Sequence, residues 1–121
     1  KNIRVGWIGT GVMGTPMAGY LLKAGYTLSV YTRTASKADP LVEAGATFAS
    51  PEEIAKTSDF LFLMLGYPHD VESMVLGVDG ILKHMKAGSV LVDHTTSSPS
   101  LAARIFEEAK KAGISALDAP V

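Results

Sequence analysis

The sequence predicts an α/β fold with a doubly wound, mainly parallel sheet. Three observations predict it. Six short β-rich runs alternate with helical stretches along 121 residues, with no linker between them. The runs are mostly continuous apolar stretches rather than alternating ones, as strands covered on both faces require. The helical stretches carry start and stop residues at their ends.

The first run, Ile3–Ile8, is apolar apart from Arg4 and leads into a glycine-rich turn. A helix over Met13–Lys23 follows and stops at Gly25, a residue suited to the left-handed C-cap position. Thr27–Tyr31 reads as the second strand, Ser36–Ala44 as a helix ended by Gly45, and Thr47–Ala49 as the third strand. Ser50-Pro51 opens a helix over Pro51–Lys56, an N-cap followed by proline at the first helical position. Asp59–Leu65 is the fourth strand, and His69–Met85 reads as two short helices divided near Gly77–Gly80. Ser89–Asp93 is the fifth strand. A helix over Leu101–Ala112 carries Lys110 and Lys111 at its negative dipole end and stops at Gly113. Ile114–Asp118 is the sixth strand. Right-handed crossovers give the order 3-2-1-4-5-6, with the ligand crevice at the switch between strands 1 and 4. Residues 1–121 form one domain.

Composition excludes several function classes. The formal net charge is -1 with scattered cations, so no basic face suits a nucleic acid or an anionic membrane. No cysteine is present, which removes disulfides, thiolate metal sites and a thiol nucleophile. The longest apolar run, Phe60–Leu65, is far too short to span a bilayer. A cytoplasmic, soluble chain is the expectation. Charged residues make up 19%, below the usual ~25%, which points to surface meant to be covered.

The chemistry sits in the first turn. Gly9, Gly11 and Gly14 have the spacing G-x-G-x-x-G between a strand and a helix. There the first glycine allows a tight turn, the second clears room for a pyrophosphate, and the third lets helix and strand pack closely. The N–H groups near Val12 and Met13 then face the phosphates at the positive end of the helix dipole. The second strand ends in Thr32-Arg33-Thr34, where NAD binders of this fold usually carry an acid for the ribose 2′-hydroxyl. Arg33 can make a bidentate contact with a 2′-phosphate, Thr34 can donate a hydroxyl, and Lys37 adds a second cation one turn on. NADP is the expected cofactor, with NAD the alternative and a solvated Arg33 the plainer reading.

Other chemistry is weaker. His94, at a strand end, could serve as an acid or base, but reads better as a residue bonded to backbone. His69-Asp70 and Asp93-His94 have no third ligand at a helpful spacing, so no metal site is expected. Thr95–Ser98 reads as an N-cap ahead of Pro99, since no nucleophile-elbow motif surrounds it.

The run IGTGVMGTPMAGYLLKAGY resembles the cofactor fingerprint of the β-hydroxyacid dehydrogenases, G-x-G-x-M-G-x-x-M-A, including Met13, Met17 and Ala18. YTRT, FLMLGYPHDV, VDHTTSSP and the final DAPV resemble further segments of that family in order. The resemblance covers the whole chain. It implies that Gly9, Thr10, Gly11, Val12, Met13 and Gly14 face the pyrophosphate, and that Arg33 and Thr34 face the 2′-phosphate. It also implies that Leu65, Gly66, Tyr67 and Val71 border the adenosine and that Thr96 approaches the nicotinamide ribose. Tyr20, Thr32, Gly66, His94 and Thr95 depart from the family's usual residues and blur the subfamily. The family's catalytic lysine and its S-G-G substrate element have no counterpart in residues 1–121, so no catalytic residue is expected in this chain. The intact protein is then expected to be a homo-oligomeric oxidoreductase, completed by a C-terminal helical domain and acting on a small hydroxyacid or its semialdehyde. A non-catalytic NADP-sensing module and an imine reductase are the alternatives.

Overall fold

A computed structural model of the chain describes residues 3–9, 20, 23–32, 39–43, 45–65, 68–78, 80–94 and 99–118. The strands are β1 (Arg4–Gly9), β2 (Thr27–Tyr31), β3 (Thr47–Phe48), β4 (Phe60–Met64), β5 (Val90–Asp93) and β6 (Ser115–Asp118). The helices among the described residues are α1 (Asp39–Glu43), α2 (Pro51–Thr57), α3 (Pro68–Leu76) and α4 (Pro99–Lys111), with a 3-10 turn at Ile81–Lys83. One sheet holds all six strands in the order β3-β2-β1-β4-β5-β6, and every neighbouring pair is parallel. This is the order the alternation predicts.

The central strands β1 and β4 carry apolar residues on both faces, and two cores result. Ile8, Leu61, Leu63 and Leu91 point to the side of α2, α3 and α4, where Ile54, Val75 and Ile105 complete one cluster. Val5, Trp7, Leu28 and Val30 face the other way and pack with Phe62. Trp7 is paired between Val30 and Phe62, and its ring stacks on Phe62 at 6.0 Å. Gly6 lets α2 sit directly on β1, because a Cβ there would collide with the Ile54 and Ser58 side chains.

The helix ends follow their sequence signals. Ser50 caps α2, its hydroxyl accepting from the Glu53 N–H at 3.2 Å, and Pro51 opens the helix. In α4, Leu101, Ile105 and Ala109 recur at four-residue steps and are all buried, with Lys110 and Lys111 in the last turn. That helix starts at Pro99 rather than at Leu101, since proline fits the first turn, where its missing N–H costs nothing. The pair of short helices expected over His69–Met85 is α3 and the 3-10 turn, which ends at Lys83, two residues early, and the other bounds differ from expectation by one residue at most, except where residues are not described. Ile3, Ala49, Asp59, Leu65, Ser89 and Ile114 lie just outside their strands, Gly9 joins β1, and Thr57 joins α2. Of the helix expected over Met13–Lys23, only Tyr20 and Lys23 are described, both helical, and Ala24 N–H donates to the Tyr20 carbonyl at 3.0 Å. Of Ser36–Ala44, residues 39–43 are described, as α1.

Two features frame the sheet. At its amino-terminal end Asp59 ties three strands: Oδ2 accepts the Arg4 N–H at 2.8 Å and Oδ1 pairs with Lys86 Nζ at 2.8 Å, just ahead of β5. The Lys86 ammonium, then the Arg4 N–H, hold the Asp59 carboxyl below the usual carboxylate range. At its far side β6 is an edge strand, with Leu117 57% exposed and Phe106 of α4 52% exposed beside it. Among the described residues no helix is long and apolar enough to cross a membrane.

Candidate functional site

The strand order reverses direction between β1 and β4, and open sheets of this kind bind ligands beyond the carboxyl ends of the strands at such a switch point. Gly9 closes β1 and is paired with Met64, the last residue of β4. Its φ is +137°, and a Cβ placed on it would fall on the Met64 carbonyl. Any other residue would strain the backbone and push β1 from β4, so only glycine suits the end of β1.

The neighbouring strand ends set the rest of the rim. Ile8 is paired with Tyr31 on one side and with Leu63 on the other, which brings Thr32, Gly9 and Met64 to one level. Thr32 is 3% exposed, a buried polar residue at the end of β2. Leu65 is half-buried and packs against the core on the α3 side. Val71, in the first turn of α3, is fully buried, so it lies beneath the rim rather than on it. Thr10, Gly11, Val12, Met13, Gly14, Arg33, Thr34, Lys37, Gly66, Tyr67 and Thr96 lie outside the described residues.

His94 follows β5 at the same edge. Its backbone N–H donates to the Leu63 carbonyl at 2.8 Å. Its ring lies almost parallel to Phe62, 5.7 Å away at 4°, and stacks on Trp7 at 6.1 Å. The imidazole is therefore part of an aromatic stack on the Trp7 face. No group of three or more metal-ligating side chains occurs among the described residues. Asp59, with its lowered pKa, precedes β4 and so lies at the opposite end of the sheet.

One feature of the rim escaped the sequence reading. Tyr31 and Phe48 end adjacent strands, and their rings meet at 5.7 Å and 37°. Two aromatics at successive strand ends were the available signal.

The family model for the NAD binding domain of 6-phosphogluconate dehydrogenase matches residues 4–121. The chain is 49% identical over its whole length to "Probable 3-hydroxyisobutyrate dehydrogenase-like 1, mitochondrial" of Arabidopsis thaliana, covering 37% of that protein. Among solved structures it is similar to 3-hydroxyisobutyrate dehydrogenase from Salmonella typhimurium, with TM-score 0.88 and 29% identity over 98% of this chain and 42% of that one. It is similar also to an imine reductase from Myxococcus stipitatus in complex with NADP+, with TM-score 0.80 and 31% identity over 95% of this chain and 39% of that one. The chain thus spans about two-fifths of the length of these proteins.

Proposed function

This chain belongs to the family of the NAD binding domain of 6-phosphogluconate dehydrogenase, and from that premise we propose that it binds NADP at the β1–β4 crevice. The observation that supports this reading is Gly9, whose positive φ and lack of a Cβ let the end of β1 lie against the Met64 carbonyl where the G-x-G-x-x-G spacing begins. In this reading residues 9–14 cradle the pyrophosphate with backbone N–H groups. Thr32 follows β2 as a buried anchor, and Arg33, Thr34 and Lys37 meet the 2′-phosphate. Leu65, Gly66 and Tyr67 border the adenosine, with Val71 holding the first turn of α3 beneath them. Thr96 approaches the nicotinamide ribose. When bound, the cofactor supplies a hydride donor or acceptor at its nicotinamide ring.

The residues in hand serve binding and orientation, and none is assigned to proton transfer. The Arabidopsis and Salmonella names favour a longer protein that oxidises a small β-hydroxyacid or reduces its semialdehyde. Imine reduction on the same scaffold is the second reading, favoured by the likeness to the Myxococcus enzyme. A homo-oligomer in which a further helical domain covers the Leu117 edge accords with the exposure there.

The test is Gly11→Val. A side chain at the second glycine fills the space that the pyrophosphate needs and leaves the sheet untouched. The variant should keep a native circular dichroism spectrum and lose NADPH binding; a variant that binds NADPH like the parent would reduce the loop to a packing turn.

A further inference from the structure

Thr32, Gly9, Met64 and His94 stand at one level across the ends of β2, β1, β4 and β5. Gly9 is paired with Met64, Leu63 is paired with Asp93, and the His94 N–H continues that ladder by donating to the Leu63 carbonyl at 2.8 Å. Of these four residues His94 alone can change its charge between pH 5 and 8. Adjacent strands lie about 4.8 Å apart, so the backbones of His94 and Gly9, with β4 between them, are about 10 Å apart. The imidazole lies at 4° to the Phe62 ring with centroids 5.7 Å apart, and 6.1 Å from Trp7. A cation is attracted to a ring face at separations of about 6 Å, and indole is the strongest such face. The stack therefore accommodates an imidazolium as well as an imidazole. β1 and β4 bring Trp7, Phe62 and Met64 to this face, none of them titratable. The neighbouring acid, Asp93, is 5% exposed and lines a groove under α4 with Leu91 and Ile105, on the opposite face. Asp118 of β6 is paired with Asp93, one step behind His94 in register, and Arg4 and Asp59 lie at the other end of the sheet.

We propose that His94 is a titratable charge at the dinucleotide site, whose protonation strengthens binding of the anionic cofactor; the proposal rests on the cofactor reading above. In that reading the pyrophosphate lies beyond Gly9, on the strand next but one to His94. A unit charge at about 10 Å from a phosphate, near a protein surface, changes affinity a few-fold and no more. His94 then acts through the field at the strand ends, without touching the cofactor and without moving a proton to substrate. Affinity is highest where the imidazole is protonated and declines as pH rises through the imidazole range. By linkage, bound cofactor favours the protonated ring by the same factor.

The experiment compares the parent with His94→Phe, which keeps a flat ring in the stack and loses the charge, and with His94→Gln, which loses both. Calorimetry measures NADP+ affinity at pH 6 and pH 8 for each. The comparison between chains cancels the titration of the cofactor's own 2′-phosphate. The gain in affinity from pH 8 to pH 6 should be about threefold larger in the parent than in either variant. Trp7 is the only tryptophan, so its emission reads the stack. The parent's emission should show a step between pH 5 and 8 that His94→Phe lacks, and saturating NADP+ should move that step to higher pH. The same pH dependence of affinity in parent and variants, or an emission step that persists in His94→Phe, overturns the proposal while leaving the cofactor reading intact. A parent chain that binds NADP+ at neither pH overturns both.

Discussion

Gly9 and Met64 end adjacent strands so closely that a Cβ on Gly9 would lie on the Met64 carbonyl. Gly9→Ala must therefore strain a left-handed backbone and separate β1 from β4 at the same time. We expect a loss of roughly 2–5 kcal/mol of stability. Urea unfolding reads it directly: the midpoint should fall with little change in slope. A midpoint equal to the parent's would mean that the strand ends are not held as described.

Arg33→Ala separates recognition of the cofactor's phosphate from the rest of the site. Loss of a charge-assisted contact with a 2′-phosphate should cost about 1.5–3 kcal/mol of NADPH affinity. NADH, which has a hydroxyl there, should bind as before. Calorimetric titration of both dinucleotides checks the pair of outcomes, and equal weakening of both would assign Arg33 to the fold instead.

Asp59 gives the fold an acid-sensitive clasp. Its carboxyl is held below the unfolded value of 3.8 by Lys86 and the Arg4 N–H. The ionised form is thus the one the fold favours. Its contribution is present above the unfolded value and is lost as pH falls through 3.8 toward the lower folded value. Both side chains are more than a third exposed, so solvent screening keeps the effect within about 1 kcal/mol. Asp59→Asn should lower stability slightly at pH 7 and flatten the acid limb of the stability curve. Chemical denaturation repeated across pH tests it, and a variant with the parent's acid limb would contradict it.

The fold was largely legible because each element carries its own punctuation. Ser50-Pro51 and the glycines at 25, 45 and 113 mark where helices begin and end, and the apolar runs of β1, β4 and β5 could only be covered strands. Gly9 was legible for the same reason, since a glycine at the end of a strand has a local meaning. What stayed hidden depends on partners distant in sequence. The Asp59–Lys86 clasp joins residues 27 positions apart, and the stack of His94 on Phe62 exists only because β5 lies beside β4. Val71 could be placed on α3 from sequence, but its full burial beneath the rim could not, since the tilt of a helix on a sheet has no local signature.

Within residues 1–121 the site has a cofactor half and no assigned proton donor. The purified chain should bind NADPH and show no turnover with a small β-hydroxyacid or semialdehyde, because positioning and proton transfer are both missing. The loss of NADPH absorbance is the assay. Catalysed reduction of a semialdehyde would return His94 and the chain's lysines to consideration as the acid.

The most direct test of the cofactor reading is a parallel titration of the chain with NADPH and NADH in one buffer. Saturable one-to-one binding, tighter for NADPH than for NADH, is the predicted result. Failure of both to bind the folded chain, or an NADH affinity equal to or above that for NADPH, would contradict it.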